Sequence, residues 1–598
     1  MAQKKVTDII VEFLVAKGVT HAFGVPGGAA LHLIDSLDRH PAITPVFNHH
    51  EQASAFAAQA YARVAGVPGV CFVTTGPGGT NAITGLLAAW LDSIPAIYIS
   101  GQARQEHLSR HKGIRQRGVQ EYDIVSVVEH MTKKAVVLED AKDIYDVLEE
   151  CYSLATKGRP GPVWIDLPLN LQWAMVPEQP IQPLSSTPAP RKPSTACVAD
   201  AKRVAGLLAE SRRPLVLIGN GIRLGGAIEE LRLLMSEMSV PCIGTWNAGD
   251  LVPTDDEAFI GRPGVFGQRG ANMVMQNCDL LLALGSHLAV PVTGTQFPTF
   301  ARQAKVVAVD LDAHELETAC VHIDVPVVQD VGDFMTALRS ELRMPPAEVL
   351  QPWRMRCLEY KAYNGIAERR PQDGVDPYVF ADRLSGMLRK NEAIVIDGGG
   401  TCNQIAFQSL RTKAGQRIVI SGALCSMGSG LPDSIGVAFH DRERTVVCFT
   451  GDGSVQFNVQ ELQTIRHHSL KIKIFVFCNS GYLSIRQTQN AFFGGRHIGS
   501  DDQGGLSIPD VQKVAEAYGI PSVAVLNTDD LARIPDEVLA VDGPVLCMLR
   551  IPVDSPVEPT VGFVRNENGT ASPRPLEDMA PFLDRDEFAR LMCIKPLP

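Results

Sequence analysis

The sequence predicts an α/β protein built from three doubly wound parallel-sheet domains, and three observations carry that expectation. Short apolar runs alternate with helical patterns along most of the chain, the mark of repeated strand–helix–strand units. At 598 residues the chain is long enough for several ordinary cores. A stretch over residues 177–194, carrying Pro177, Pro180, Pro183, Pro188, Pro190 and Pro193, reads as an extended, unpacked linker between the first two domains.

The first domain covers residues 1–185. Ile9, Ile10, Phe13 and Leu14, spaced among Asp8, Glu12 and Lys17, predict an amphipathic helix with no apolar core of a secretory signal. A strand at 46–47 leads into an Ala-rich helix over 51–63. A strand at 70–74, the turn Gly76-Pro77-Gly78-Gly79, a helix over 80–90 and a strand at 97–100 follow. Glu51 stands where a strand becomes a helix, a place from which a side chain reaches a ligand in an open sheet. A carboxylate there also serves the helix amino terminus, and on its own Glu51 reads no further than that.

The middle domain, 195–345, repeats the alternation with strands at 215–218, 280–284 and 306–309 and a helix over 228–238. Its Gly219-Asn220-Gly221 is a fragment of a nucleotide-binding turn without the full spacing. The third domain, 370–555, begins its helices and strands near Asp376. A strand at 394–396 enters the glycine turn Gly398-Gly399-Gly400-Thr401, whose amides suit a diphosphate. A tail over 556–598, polar and Pro-rich, either folds over the active site or straps the surface.

The most informative stretch is a strand at 445–450, the turn Gly451-Asp452-Gly453-Ser454, a helix over 456–468 and a strand at 472–477 ending in Asn479-Ser480-Gly481-Tyr482. In such a βαβ unit both strands are parallel, so Asp452 and Asn479 emerge at one carboxyl-terminal sheet edge. Turn amides hold phosphate there, while the Asp452 carboxylate, the Asn479 amide and a nearby carbonyl, that of Gly481, supply hard oxygens for Mg²⁺. A lone Gly-Asp-Gly is an ordinary turn. The pair 27 residues apart, in this context, resembles the diphosphate-binding signature of thiamine diphosphate (ThDP) enzymes.

Composition excludes other classes. A net charge of −11 leaves no basic footprint for nucleic acid, and no apolar run approaches eighteen residues, so a soluble cytoplasmic protein without membrane partners is expected. Thirteen cysteines lie scattered, Cys71, Cys448 and Cys478 inside apolar strands, with no CxxC; they read as buried free thiols. Asn568-Gly569-Thr570 is a formal glycosylation sequon that carries no weight without a secretory signal.

His50-Glu51-Gln52, Gly76-Pro77-Gly78-Gly79-Thr80-Asn81, Asp92-Ser93-Ile94-Pro95, Ser100-Gly101-Gln102, Arg159-Pro160-Gly161-Pro162-Val163 and Asp166-Leu167-Pro168 resemble the pyrimidine-binding domain of the acetolactate synthase branch of ThDP enzymes. The resemblance continues in order along nearly the whole chain. It implies that Glu51 hydrogen-bonds the aminopyrimidine ring nitrogen, that Pro77 and Asn81 line that ring, and that Gly28, Ala29 and Gln120 face substrate. In the third domain it makes Met427, within Ser426-Met427-Gly428-Ser429-Gly430-Leu431-Pro432, the wedge between the coenzyme's two rings. The Cys425 carbonyl becomes the acceptor for the exocyclic amine, and Gly400 and Thr401 join the Asp452 turn around the diphosphate. By apolarity alone Met427 would be core.

Departures from the branch fall where specificity is set. Leu169 stands where these enzymes carry a lysine near substrate and flavin, Val119 where a phenylalanine is usual, and Thr488 where a tryptophan helps select the second 2-keto acid. A wider, more polar acceptor site follows, with Leu483, Arg486 and Thr488 as its candidate residues. Arg486 reads equally as a partner for an anionic acceptor and as a surface charge. The middle domain resembles the one that carries FAD, keeping Thr293-Gly294 and Asp310-Leu311-Asp312, but Gly285-Ser286-His287 replaces the usual Gly-x-Arg. Bound FAD and an empty Rossmann-like spacer are both open.

The segment 490–495 and residues 576–582 resemble relatives from bacterial surface-sugar pathways, some of which add an acetyl unit to a keto sugar nucleotide. The expectation is therefore a ThDP- and Mg²⁺-dependent decarboxylating carboligase. It would pass an acetyl unit from a 2-keto acid, pyruvate, through an enamine to a ketone, aldehyde or keto sugar. Glu51, shielded from solvent, would share a proton with the coenzyme, and Met427 would impose its bent shape. The family places active sites between subunits, implying a homodimer or tetramer. Competing readings are an acetolactate synthase, a hydrolase or simple decarboxylase on the same scaffold, and a silent scaffold.

Overall fold

The computed structural model describes residues 2–110, 112–185, 190–366, 371, 373–565 and 571–597. Each domain contains one six-stranded sheet in which every pairing is parallel. Helices cover both faces, so the central strands are largely apolar: Leu280–Leu284 and Gly69–Val73 are buried at every residue.

Across the first sheet the strands are Thr44–Phe47, His21–Gly24, Gly69–Val73, Ala96–Gln102, Pro162–Pro168 and Lys134–Val137. Across the third they are Arg417–Ile420, Ala393–Ile396, Val446–Gly451, Ile472–Cys478, Val545–Arg550 and Ser522–Val525. Counted along the chain within each domain, both sheets have the order 2-1-3-4-6-5. The middle sheet, Phe259–Gly261, Cys242–Gly244, Pro214–Ile218, Leu280–Leu284, Lys305–Asp310 and Val325–Val328, has the Rossmann order 3-2-1-4-5-6. In each case the order reverses beside the first strand, which places the ligand crevice there.

The first and third domains share a core. The helix Glu51–Ala65 packs against the helix Gly430–His440, and one apolar cluster runs through both. The alanines of the first helix and a glycine of the second allow the approach, since a Cβ on Gly436 would fall 2.1 Å from the Ala57 carbonyl oxygen. Buried polar pairs accompany it: Asn48 Nδ2 donates to Glu461 Oε2 at 2.9 Å and Gln59 Nε2 to Asp433 Oδ1 at 2.6 Å.

Several expectations change. The helix expected over 456–468 is a 3₁₀ turn, Ser454–Asn458, followed by the helix Glu461–His467. The break serves Asn458, whose Nδ2 donates to the Gly428 carbonyl at 2.8 Å and to Gln52 Oε1 at 3.1 Å. The linker starts later than Pro177, because Met175–Pro177 pairs antiparallel with Gln3–Lys5. Residues 178–185 and 190–194 then hold no regular element, and Pro188 and the sequon at 568–570 lie outside the described residues.

The tail is a strap on the middle domain. Arg269 donates to the carbonyls of Met579 and Pro581, Gln276 to Glu577, and the helix Arg585–Leu591 buries Phe588 and Leu591. All thirteen thiols are free, but Cys320, Cys425 and Cys593 are exposed rather than buried, and Cys478 is half-buried. Among the described residues no helix is long and apolar enough to cross a membrane.

Candidate active site

The crevice of the third domain is held open by one carboxylate that motif reading passed over. Asp397 ends the apolar strand Ala393–Ile396 and is fully buried. Its Oδ1 accepts from Gly399 N at 3.1 Å and Ser454 Oγ at 2.8 Å; its Oδ2 accepts from Gly430 N at 3.2 Å and Thr450 Oγ1 at 2.9 Å. Asp397 thus ties together the turns that leave the first and third strands. Burial pushes its carboxyl pKa up, against the four hydrogen bonds that favour the charge. The signal was in the sequence: a charged residue ending a wholly apolar strand beside three glycines.

Gly400 caps the helix Thr401–Ser409 with φ of +80°, and a Cβ there would meet nothing within 4 Å. A Cβ on Gly451 would reach only the Ser454 side chain, at 4.0 Å. Open space over two amide-bearing turns is the form of a diphosphate cradle. Tyr482 closes one end, its ring lying where a Cβ on Gly453 would stand, at 2.3 Å. Ser454 does not face this space: its hydroxyl donates to Asp397 and accepts from Gly428 N at 2.9 Å, joining the diphosphate turn to the Met427 segment.

Asp452 is buried, and burial pushes its pKa up to about 6 although four backbone amides pull it down. Its Oδ1 accepts from Gly453 N at 2.8 Å, and its Oδ2 from Asn479 N at 3.0 Å and Ser480 N at 2.8 Å. Beside it Asn479 is 5% exposed, and its Oδ1 has no hydrogen-bond partner among the described residues. A buried amide oxygen left unpaired costs free energy, and a cation beside Asp452 would satisfy it. The donor set, one carboxylate, one amide oxygen and the backbone at Gly481, is the hard-oxygen chemistry that Mg²⁺ takes. The residues present fit Mg²⁺ and a diphosphate.

Met427 is half-buried and lies across Gly399, where a Cβ would sit 2.3 Å from its Cγ. Cys425, two residues earlier, holds φ of +53° and is exposed. Both belong to the turn that joins the second strand to the helix Gly430–His440.

The first domain presents its candidates on the matching sheet edge. Glu51 opens its helix after His50, whose side chain caps by accepting from Gln52 N. Glu51 Oε2 accepts from Asn81 Nδ2 at 2.9 Å, and its Oε1 lies 3.6 Å from the position of a Cβ on Gly78. Glu51 is half-buried within the single chain, less shielded than expected. Pro77 takes the first position of the helix Pro77–Leu91 after Gly76 at φ of +68°. Gln120, exposed and at φ of +60°, lies against Gly76 and accepts Thr75 Oγ1 at its carbonyl. Gly28 is exposed, while Ala29 is held at its N–H by Thr74 Oγ1.

The acceptor candidates fare differently. Arg486 is not a surface charge: it is 1% exposed, and its guanidinium donates to the carbonyls of Asn479 at 2.9 Å and Val553 at 2.8 Å, with longer contacts to Ser480 and Ser500. It pins the metal-side turn. Leu483 is also buried, at 3%, because it opens the helix Leu483–Phe493 on its inner face. Thr488 alone is exposed, its hydroxyl returned to the Ser484 carbonyl. In the middle domain Gly221 N donates to the Gly285 carbonyl at 3.0 Å, and His287 lies 3.4 Å from Glu315.

Comparison with known proteins agrees with this arrangement. Residues 4–127 match the model of the thiamine pyrophosphate enzyme N-terminal TPP binding domain, 201–338 the central domain and 398–549 the C-terminal TPP binding domain. Acetolactate synthase 1, chloroplastic, of Nicotiana tabacum is 31% identical over 93% of this chain and 83% of its own length. The probable acetolactate synthase large subunit of Methanocaldococcus jannaschii is 31% identical over 94% and 95%, and acetolactate synthase 1, chloroplastic, of Zea mays 32% over 93% and 87%. A carboxylate held on one domain, an open amide cradle and an unsatisfied buried amide oxygen on another, and relatives matched over 93% and 94% of the chain lead to one conclusion: the chain belongs to the thiamine diphosphate-dependent enzymes, as an acetolactate synthase-like member.

Proposed function

We propose that the protein is a ThDP- and Mg²⁺-dependent decarboxylating carboligase that passes an acetyl unit from pyruvate to the carbonyl of a ketone, aldehyde or keto sugar. One observation carries the acceptor side of this reading. Thr488, where the branch carries a tryptophan, is exposed, and its hydroxyl is spent on its own helix, so position 488 itself sets no aromatic ring against an acceptor. Leu169, half-buried, likewise removes a cation from the donor side.

When bound, the coenzyme supplies the nucleophilic carbon that attacks the keto group and lets carbon dioxide leave. The chain's own groups then have separable tasks. Asp452 and Asn479, with the Gly481 carbonyl, would hold Mg²⁺, and the turns at Gly400 and Gly451 would hold the diphosphate. Glu51, its Oε2 fixed by Asn81, keeps its Oε1 free to hold a proton against the ring nitrogen. Met427, seated on Gly399, orients the rings so that the proton's donor and acceptor meet. Exposed apolar side chains near these elements, Phe457, Ile485 and Phe492, suit burial by a second subunit, which would exclude water. On this reading the protein works as a homodimer or tetramer, Glu51 acting on coenzyme held by the partner.

Isotopically labelled pyruvate with a panel of ketones, aldehydes and keto sugar nucleotides, read by mass spectrometry, tests the proposal. An acetyl adduct of an acceptor is expected. Fast acetolactate formation from pyruvate alone would make the protein an acetolactate synthase, and acetate or acetaldehyde as the main product would make it a hydrolase or decarboxylase.

A further inference from the structure

The turn that carries Cys425 and Met427 has little regular structure of its own, yet it must hold a methionine and a backbone carbonyl in fixed places. Within it, Cys425 N reaches the Ser421 carbonyl at 3.0 Å, and at its end Gly428 N reaches Ser454. Its first half is held from outside. Asp92, at the end of the helix Pro77–Leu91 in the first domain, accepts from Ala423 N at 3.2 Å through Oδ1, the oxygen that also accepts Asn247 Nδ2 of the middle domain at 3.2 Å. Asn247 also lies against Gly422, its Nδ2 3.3 Å from where a Cβ there would stand.

Asp92 is itself anchored. Its Oδ2 receives Arg63 Nη2 at 2.6 Å, and the two side chains are 5% and 2% exposed. Arg63 Nε donates to Gln59 Oε1 at 2.6 Å, and Gln59 Nε2 donates onward to Asp433 Oδ1 at 2.6 Å and Ser421 Oγ at 3.3 Å. The polar chain therefore leaves the third domain at Asp433, crosses the helix Glu51–Ala65, and returns to the third domain at Ala423. Such a buried network fixes geometry through its paired atoms, and here only Asp433 Oδ2, at its far end, has no partner among the described residues. Its two return points, Ser421 and Ala423, flank Gly422 and precede Cys425.

We propose that Asp92 is a positioning residue for the reaction: braced by Arg63 and aided by Asn247, it holds the Ser421–Met427 turn so that the Cys425 carbonyl and the Met427 side chain stand in register with the bound coenzyme. Asp92 acts through that turn and touches neither coenzyme nor substrate. The proposal rests on Met427 as the wedge, the reading set out under the proposed function. It adds that the wedge takes its place from a clamp that joins all three domains of one chain.

The test uses D92N, which keeps the size of the side chain and turns an amide towards Arg63, and N247A, which removes only the middle-domain donor. Amide hydrogen exchange of full-length protein without coenzyme is read first, so the clamp is tested apart from the function of Met427. Exchange at the Ala423 amide is expected to rise about tenfold in D92N, the scale of one lost hydrogen bond, and less in N247A, with the Pro77–Leu91 helix unchanged. Steady-state kinetics follow: kcat falls at least tenfold in D92N, while the ThDP concentration for half activation moves less than about threefold, because the diphosphate anchor is elsewhere. If D92N does not fold, N247A carries both readouts in the same direction. Unchanged exchange at Ala423 overturns the clamp. Faster exchange with unchanged kcat leaves a clamp without a positioning role and overturns the proposal, and an acceptor-insensitive protein with faster exchange instead points to failure of the carboligase reading.

Discussion

Replacing Arg486 by methionine separates a structural pin from a substrate contact. The guanidinium is buried and makes two well-formed bonds, to the Asn479 carbonyl at 2.9 Å and the Val553 carbonyl at 2.8 Å, while the contacts to Ser480 and Ser500 are 3.4 and 3.3 Å. Charge-assisted hydrogen bonds contribute about 1.5–3 kcal/mol each, so the two short ones together account for about 3–6 kcal/mol. Returning a buried guanidinium to water in the unfolded chain offsets part of this, and its Nε is unpaired, leaving a net loss of about 2–4 kcal/mol in R486M. Because Asn479 carries the unsatisfied oxygen of the metal site, part of that loss appears as weaker Mg²⁺ binding. At about 1.4 kcal/mol per decade, a 10- to 100-fold weakening is expected. Calorimetric titration of Mg²⁺ into protein with saturating ThDP measures it. Unchanged Mg²⁺ affinity together with a raised KM for an anionic acceptor would refute the pin and restore Arg486 to the substrate site.

Three further outcomes follow from the geometry. E51Q is expected to lose turnover by about 10²- to 10⁴-fold, the range for a lost acid–base group, yet still bind ThDP in a titration, because the diphosphate is held on the third domain. Burial pushes the Asp433 carboxyl up to about 8 from an ordinary value of 3.8, so the folded protein holds that proton more tightly than the unfolded chain. Its contribution is therefore complete below about pH 4 and is lost as pH rises towards 8, and D433N should gain stability over wild type between about pH 5 and pH 8 in denaturant titrations. In the middle domain Gly221 closes on Gly285, His287 is engaged by Glu315, Arg159 reaches Asp312 and Glu315, and Arg223 pairs with Asp250, so these cations are already engaged by carboxylates. The purified protein is expected to be colourless, and flavin absorption in the visible would overturn that.

The central strands were legible because they are covered on both faces and so are written as apolar runs, Leu280–Leu284 being a clear case. The turns were legible because a backbone at positive φ beside open space selects glycine, as at Gly400. What sequence could not show was where charged side chains end. Arg486 has the composition of a surface residue and becomes buried only because four carbonyls from three segments converge on it. Asp397 lies next to a motif but belongs to none. The broken helix after Ser454 depends on Asn458 bonding across to Gly428 and Gln52, partners 30 and 406 residues away. Periodicity reports a residue's neighbours in sequence and is silent on those contacts.

The shared strand order of the first and third domains gives the site its logic. The helices that pack together, Glu51–Ala65 and Gly430–His440, are topological equivalents, each following the second strand of its sheet. Glu51 and Met427 therefore occupy matching connections, one just inside its helix and the other just before it. Gly28 and Ala29 match Gly400 and Thr401 after the first strand, and Pro77 matches Asp452 after the third. Gln120 and Asn479 both lie on the connection leaving the fourth. On the proposed reading one sheet edge serves an anion and a metal, with buried carboxylates at Asp397 and Asp452. The other serves an uncharged ring, with a carboxylate beside Asn81. On the proposed dimeric reading a coenzyme charged at one end and aromatic at the other fits between the third-domain crevice of one chain and the first-domain crevice of its partner, and the Asp92 clamp ties the wedge to the first domain of its own chain, whose Glu51 serves the other site. Loosening Asp92 should therefore displace the wedge and slow turnover while leaving Mg²⁺ affinity unchanged in a calorimetric titration, so the two functions should separate in D92N.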